Sequence, residues 1–286
     1  MGNLMQKFDT NLTMIFLIVI IGIYFIIGKM LNIQLSDTLF IFGWVLLFFI
    51  IVFIHGYKTL GLKEIIAFFL ITYAITMSYE YTEAFGWGIW FNCRCFYSDL
   101  LGPKFLGKIP YIIPLTWSIS LYCVFTMTNI IFRRIKTTFR SNEKFSLRWF
   151  SRIFGMGLIA GLIMISWDLI NDPVFVKMGA WTWPNGGSYY GIPLANYAVW
   201  VEISAVSFIA YNIYLLLIRK NQIFIGGNKR SKYTLLVVLL YLILLPIYGV
   251  YAIYTNTTYA IPWATITMCS IVAVTIFQFY KFKRND

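Results

Sequence analysis

The chain is poor in the side chains that carry much of enzyme chemistry. Of its 286 residues a single one is histidine, His55, and eleven are aspartate or glutamate. One imidazole cannot build a histidine-cluster iron centre, which excludes the membrane desaturases and hydroxylases of that kind. His55 sits at the inner end of an apolar run, which excludes a Ser-His-Asp triad as well. No glycine-rich dinucleotide fingerprint follows a strand. The four cysteines are Cys93, Cys95, Cys123 and Cys269. Cys93 and Cys95 are too close in sequence for an unstrained disulfide, and no paired CxxC set is present to hold a metal. Charged residues make up 12% of the chain, against about a quarter in an ordinary soluble domain. There is no soluble domain, linker or low-complexity segment.

What is present is apolar: 60% hydrophobic and 20% aromatic residues. A bilayer crossing takes about 20 residues, and runs of that order cover residues 12–31, 39–54, 64–81, 109–132, 153–171, 192–218, 233–254 and 261–280. The expectation is an all-α polytopic membrane protein of about eight spans, one integral-membrane domain over residues 1–286. The first run is longer than a signal-peptide core and no small-residue cleavage site follows it, so it is expected to stay as an anchor. The net charge of +12 does not point to nucleic acid, because its positions are those of topology determinants. Basic residues crowd the loops between spans 4 and 5 (Arg133, Arg134, Lys136, Arg140) and between spans 6 and 7 (Arg219, Lys220, Lys229, Arg230), and close the chain at Lys283 and Arg284. An even number of spans puts all three clusters on one side, and the positive-inside rule makes that side cytoplasmic, with both termini. Prolines near the outer ends of inward-running spans (Pro110, Pro114, Pro193 and Pro262) fit helix first turns.

The densest stretch runs from Asp168 to Trp200, DLINDPVFVKMGAWTWPNGGSYYGIPLANYAVW. It leaves an apolar helix through two aspartates, crosses a Trp/Gly/Tyr loop and enters the next helix at Ile-Pro. A weaker echo precedes it: Glu83, Gly86-Trp87-Gly88-Ile89-Trp90 and Ile113-Pro114-Leu115 match Asp172, Gly179-Ala180-Trp181-Thr182-Trp183 and Ile192-Pro193-Leu194. A duplicated hairpin, 64–132 and 151–218, or chance in an aromatic-rich chain would each produce it.

Five acids fall within or at the outer end of a span: Glu80, Glu83, Asp168, Asp172 and Glu202. Glu80 and Glu83 are three residues apart and Asp168 and Asp172 four, so each pair shares a helix face. All five converge on one depth, towards the outer side. Acids at membrane depth are costly and mark function by default. Pairing with Arg94 or Lys177, or capping of loops, is the structural alternative. For Trp87, Trp90, Trp181 and Trp183 the alternative is an ordinary interfacial belt.

The chemistry that remains suits a hydrocarbon dissolved in the bilayer. A carboxylic acid can protonate an isolated alkene to a tertiary cation. Aromatic faces stabilise the cation, and a second carboxylate directs water to it or removes a proton. Hydration and cyclisation of isoprenoids share this logic. A diphosphate-using prenyltransferase, with Asp168, Asn171 and Asp172 around Mg²⁺, ranks third, since it needs a second acidic cluster and a cytoplasmic substrate.

Two groups of residues carry a family resemblance. The first is Glu83, Gly86, Phe91, Tyr97, Leu101-Gly102-Pro103, Pro110, Ile113-Pro114-Leu115 and Trp117. The second is Asp168, Asp172-Pro173, Gly179, Trp181, Trp183, Tyr190-Gly191-Ile192-Pro193, Asn196 and Trp200. In these the chain resembles the integral-membrane carotenoid hydratases of bacterioruberin and γ-carotene-type pathways. The resemblance implies addition of water across the terminal double bond of a linear carotenoid ψ-end, in the cell membrane and without an organic cofactor or a metal. On our reading Asp168 or Glu83 is the proton donor, Asp172 positions water and Asn196 orients a carboxyl. Trp181 and Trp183, two apart on an extended loop, would face the same way and line a cation pocket with Tyr190. Trp117, Trp200, Glu80 and Glu202 are placed with the substrate-binding side chains. A carotenoid or isoprenoid cyclase and a non-catalytic carotenoid- or lipid-binding membrane protein are the alternatives. The partners expected are the membrane-dissolved substrate and the bilayer.

Overall fold

The structure is a computed structural model. It describes residues 38–87, 93–132, 146–218 and 233–281, together with Val19 and Gly22. The rest of the first expected span, Trp90 and the basic loops 133–145 and 219–232 lie outside the described residues.

The described chain forms eight α-helices: α1 (Thr38–Thr59), α2 (Leu62–Ala84), α3 (Ile112–Phe132), α4 (Leu147–Lys177), α5 (Leu194–Ile218), α6 (Tyr233–Leu242), α7 (Leu244–Tyr254) and α8 (Ala260–Lys281). α6 and α7 are two halves of one apolar run, so seven spans are long and apolar enough to cross a membrane. The break at Ile243 precedes Pro246 by one turn. Proline has no N–H to give the carbonyl four residues back and crowds it, and the neighbouring Ile247 N–H reaches Ile243 only at 3.4 Å.

The helices run longer than the hydropathy alone indicates. α1 extends past the expected 39–54 to Thr59, and α4 adds six residues at each end of 153–171. α4 carries Pro173 inside its last turns. Pro173 leaves the carbonyl of Leu169 without its usual donor, and the Tyr189 hydroxyl fills the gap at 2.8 Å. That bond ties the loop after α4 to the helix. Pro193 immediately precedes α5, and Pro114 and Pro262 fall in the first turns of α3 and α8.

Burial follows position in the bundle. α3 and α4 are the most enclosed spans and α2 the least. On α2 the buried residues are Ile65, Phe68, Thr72, Thr76, Glu80 and Ala84. They recur every three to four positions, so they form one inward stripe on a helix whose other faces are apolar and outward. α4 and α5 pack backbone to backbone. A Cβ added at Gly161 would stand 2.7 Å from the Cα of Val201, and one at Gly157 2.9 Å from the Cα of Ala205.

At one end of the bundle the loops make a small roof. β1 (Phe96–Tyr97) pairs antiparallel with β4 (Trp181–Thr182), with Tyr97 opposite Trp181. β2 (Lys104–Phe105) pairs with β3 (Ile109–Pro110). The first ladder joins the loop after α2 to the loop after α4, 84 residues away along the chain from Tyr97 to Trp181.

Candidate functional site

Beneath the roof lies a cavity of about 810 Å³, counting its mouth. Its wall is mostly apolar and aromatic, with three carboxyl side chains: Glu80 and Glu83 from α2 and Asp172 from α4. They come from helix ends that the sequence places at the same depth, and the roof ladder holds the two ends together.

Each carboxyl is held differently. Asp172 accepts from the Asn196 side-chain amide at 2.6 Å, and the indole N–H of Trp181 and the Asp168 carboxyl also turn to it. Glu80 accepts from the Tyr97 hydroxyl at 2.6 Å, and the Trp117 indole N–H is directed at it. Glu83 is the contrast: its Oε1 is buried and has no hydrogen-bond partner among the described residues. None of the acids forms an ion pair with Arg94 or Lys177. Lys104 pairs with Asp99 at 2.7 Å, on the surface, and Arg94 lies over the Phe96 ring.

The aromatic side chains form a chain around this cavity. From Tyr97, successive ring centroids lie 6.2 Å to Trp181, 4.6 Å on to Phe175 and 6.0 Å to Tyr248. The chain continues 6.2 Å to Trp167, 5.6 Å to Trp200 and 4.2 Å to Trp117. All seven line the cavity. Glu80 lies between the two ends of the circuit, accepting from the Tyr97 hydroxyl with the Trp117 indole directed at it. Trp183 lines the cavity as well. A cation within about 6 Å of a ring centroid is stabilised by the ring face, and a charge formed here would have such faces on several sides.

A family comparison bears on the whole bundle. The carotenoid biosynthesis protein family matches residues 40–273. The chain belongs to that family. No curated protein and no solved structure matches the chain.

Not every residue singled out from the sequence reaches this carotenoid-family cavity. Asp168 does not line it. It shares a face with Asp172 but lies one helical turn, about 5.4 Å, further in, fully buried behind the wall. There it touches the side-chain amides of Asn171 at 3.5 Å and Asn196 at 3.4 Å. Glu202 also falls outside the lining and accepts from the Tyr79 hydroxyl at 2.8 Å. Tyr190 is turned away: its backbone has a φ of +55°, and its ring packs on Tyr189, centroids 5.0 Å apart. Trp87 is largely exposed, unlike Trp181 and Trp183.

Other lining residues were missed: Trp167, Phe175 and Tyr248. The signal for one of them was within reach: Phe175 lies three residues from Asp172 and seven from Asp168 on α4, spacings that keep it near their face. Trp167 is next to Asp168 and about 100° round the helix, so spacing gives no such pointer. Tyr248 comes from α7, and nothing in the sequence ties that helix to this site. Tyr97 stood in the family motif without a role. Its hydroxyl is pushed well above its usual range, first by burial and then by the Glu80 charge, so it stays a donor. Burial pushes the Cys93 thiol up to about 12 and raises that of Cys95, so neither offers a thiolate.

Proposed function

We propose that the protein adds water across the terminal double bond of a linear carotenoid ψ-end group. The observation that carries this reading is an aromatic-ringed cavity holding carboxyls in two different settings. Glu83, which lines the cavity and keeps one buried oxygen without a partner among the described residues, gives its proton to the less substituted alkene carbon. The positive charge then forms at the tertiary carbon, against the tryptophan faces. Asp172 holds a water molecule and takes its proton as the oxygen attacks. Asn196, Trp181 and Asp168 fix the orientation of the Asp172 carboxyl, so Asp168 is a positioning residue rather than the donor. Asn196, bonded to Asp172, and Asn171, the residue before Asp172, give the cavity polar groups beside that carboxyl, and a water molecule needs two to four such partners. These polar groups favour hydration over a cyclase outcome, in which Asp172 would remove a carbon-bound proton instead.

The same reading has both termini in the cytoplasm and the cavity towards the outer leaflet, because the basic loops belong inside. The substrate then arrives from the bilayer.

The test is turnover of a linear carotenoid by the purified full-length protein in oxygen-18-labelled water. The product is expected to carry the label in a new tertiary hydroxyl. An unlabelled ring-closed product would assign the cyclase outcome, and an unchanged pigment would leave a binding protein.

A further inference from the structure

We infer that Glu80 is the proton-return residue of this site, moving the proton released by water from Asp172 back to Glu83 between turnovers. The inference rests on the hydration reading above. Alkene plus water gives alcohol with no net proton, but it leaves the enzyme reversed. Glu83 has lost its proton to carbon and Asp172 has gained one from water. The next turnover needs that proton carried across the cavity.

Glu80 stands where such a carrier must be. It lies one turn before Glu83 on the inward face of α2, and both line the cavity that Asp172 lines. The third carboxyl of that cavity is Glu80 itself. The Tyr97 hydroxyl donates to it at 2.6 Å, and Tyr97 sits opposite Trp181, whose indole N–H turns to Asp172. A carboxyl accepts a proton on one oxygen while releasing one from the other, so Glu80 can pass it on through water in the cavity that all three carboxyls line. Glu80 is buried beneath the roof, which disfavours exchange with bulk water. No described lysine or arginine pins it as a permanent carboxylate.

The experiment is rapid-quench product formation by the full-length protein in lipid nanodiscs, wild type against Glu80→Gln, with a linear ψ-ended carotenoid. The amide keeps the shape and still accepts from Tyr97, but it cannot relay a proton. The expected result is a first turnover at the wild-type rate followed by a steady phase slower by about 10²-fold, the lower end of an acid–base contribution. The solvent deuterium isotope effect should rise on the steady phase alone. Tyr97→Phe should give the same pattern more weakly, and it carries the test if Glu80→Gln does not fold. A first turnover slowed as much as the later ones, or a steady phase at the wild-type rate, overturns the inference while leaving hydration intact. A wild type that makes no water-added product removes the hydration reading itself.

Discussion

At the residue scale the question is which acid meets the substrate. Sequence spacing puts Asp168 and Asp172 on one face and stops there, because two residues a turn apart differ only in depth. Depth is settled by what packs over the helix end, and here it leaves Asp172 on the wall and Asp168 behind it. Glu83 differs from both in having an unpartnered oxygen. Glu83→Gln is therefore expected to lower turnover by about 10²–10⁴-fold, the usual contribution of a general acid, with the protein still monodisperse in detergent. Near-normal turnover would return Glu83 to a structural role. For the cation, a desolvated contact with an aromatic face contributes about 2 kcal/mol, and each 1.36 kcal/mol is about tenfold in rate. Trp181→Leu should accordingly lose roughly ten- to a hundredfold on those scales, and Trp181→Phe should recover part of it. Equal turnover of the Leu and Phe variants, per folded protein, would show that the ring acts through packing alone.

At the element scale the apolar runs and the prolines located the helices. The extensions of α1 and α4 were not legible, since polar residues at membrane boundaries weaken a hydropathy signal without breaking a helix. The roof was not legible either. A two-residue ladder between Tyr97 and Trp181 leaves no periodicity to read, yet it brings the loops of two hairpins together over the cavity. The α4–α5 contact also matters to the site, since α4 carries Asp172 and α5 carries Asn196. Gly161→Leu drives a side chain into the Val201 backbone, and overpacking of this kind typically costs about 1–3 kcal/mol. Lower thermal stability together with loss of turnover is expected. A variant as stable and active as wild type would mean that α4 and α5 do not meet there in the membrane.

At the scale of the whole molecule, composition alone excluded a soluble enzyme, and the chain's family membership agrees with the kind of pigment chemistry that its motifs resemble. The orientation we propose rests on charge. Cysteines placed at positions 142 and 228, which lie outside the described residues, should resist an impermeant thiol reagent in intact cells, while cysteines at Asn185 and Asn256 should react. Labelling at 142 in intact cells would invert the arrangement and move the site to the inner leaflet. The central claim is that these carboxyls put water onto a carotenoid end. Its most direct test is expression of the chain in a lycopene-producing host, beside its Asp172→Asn variant, followed by mass analysis of the pigments. The account predicts pigment heavier by one or two waters with the wild type and unaltered lycopene with the variant. Unaltered lycopene from both, with the protein folded in the membrane, would contradict it.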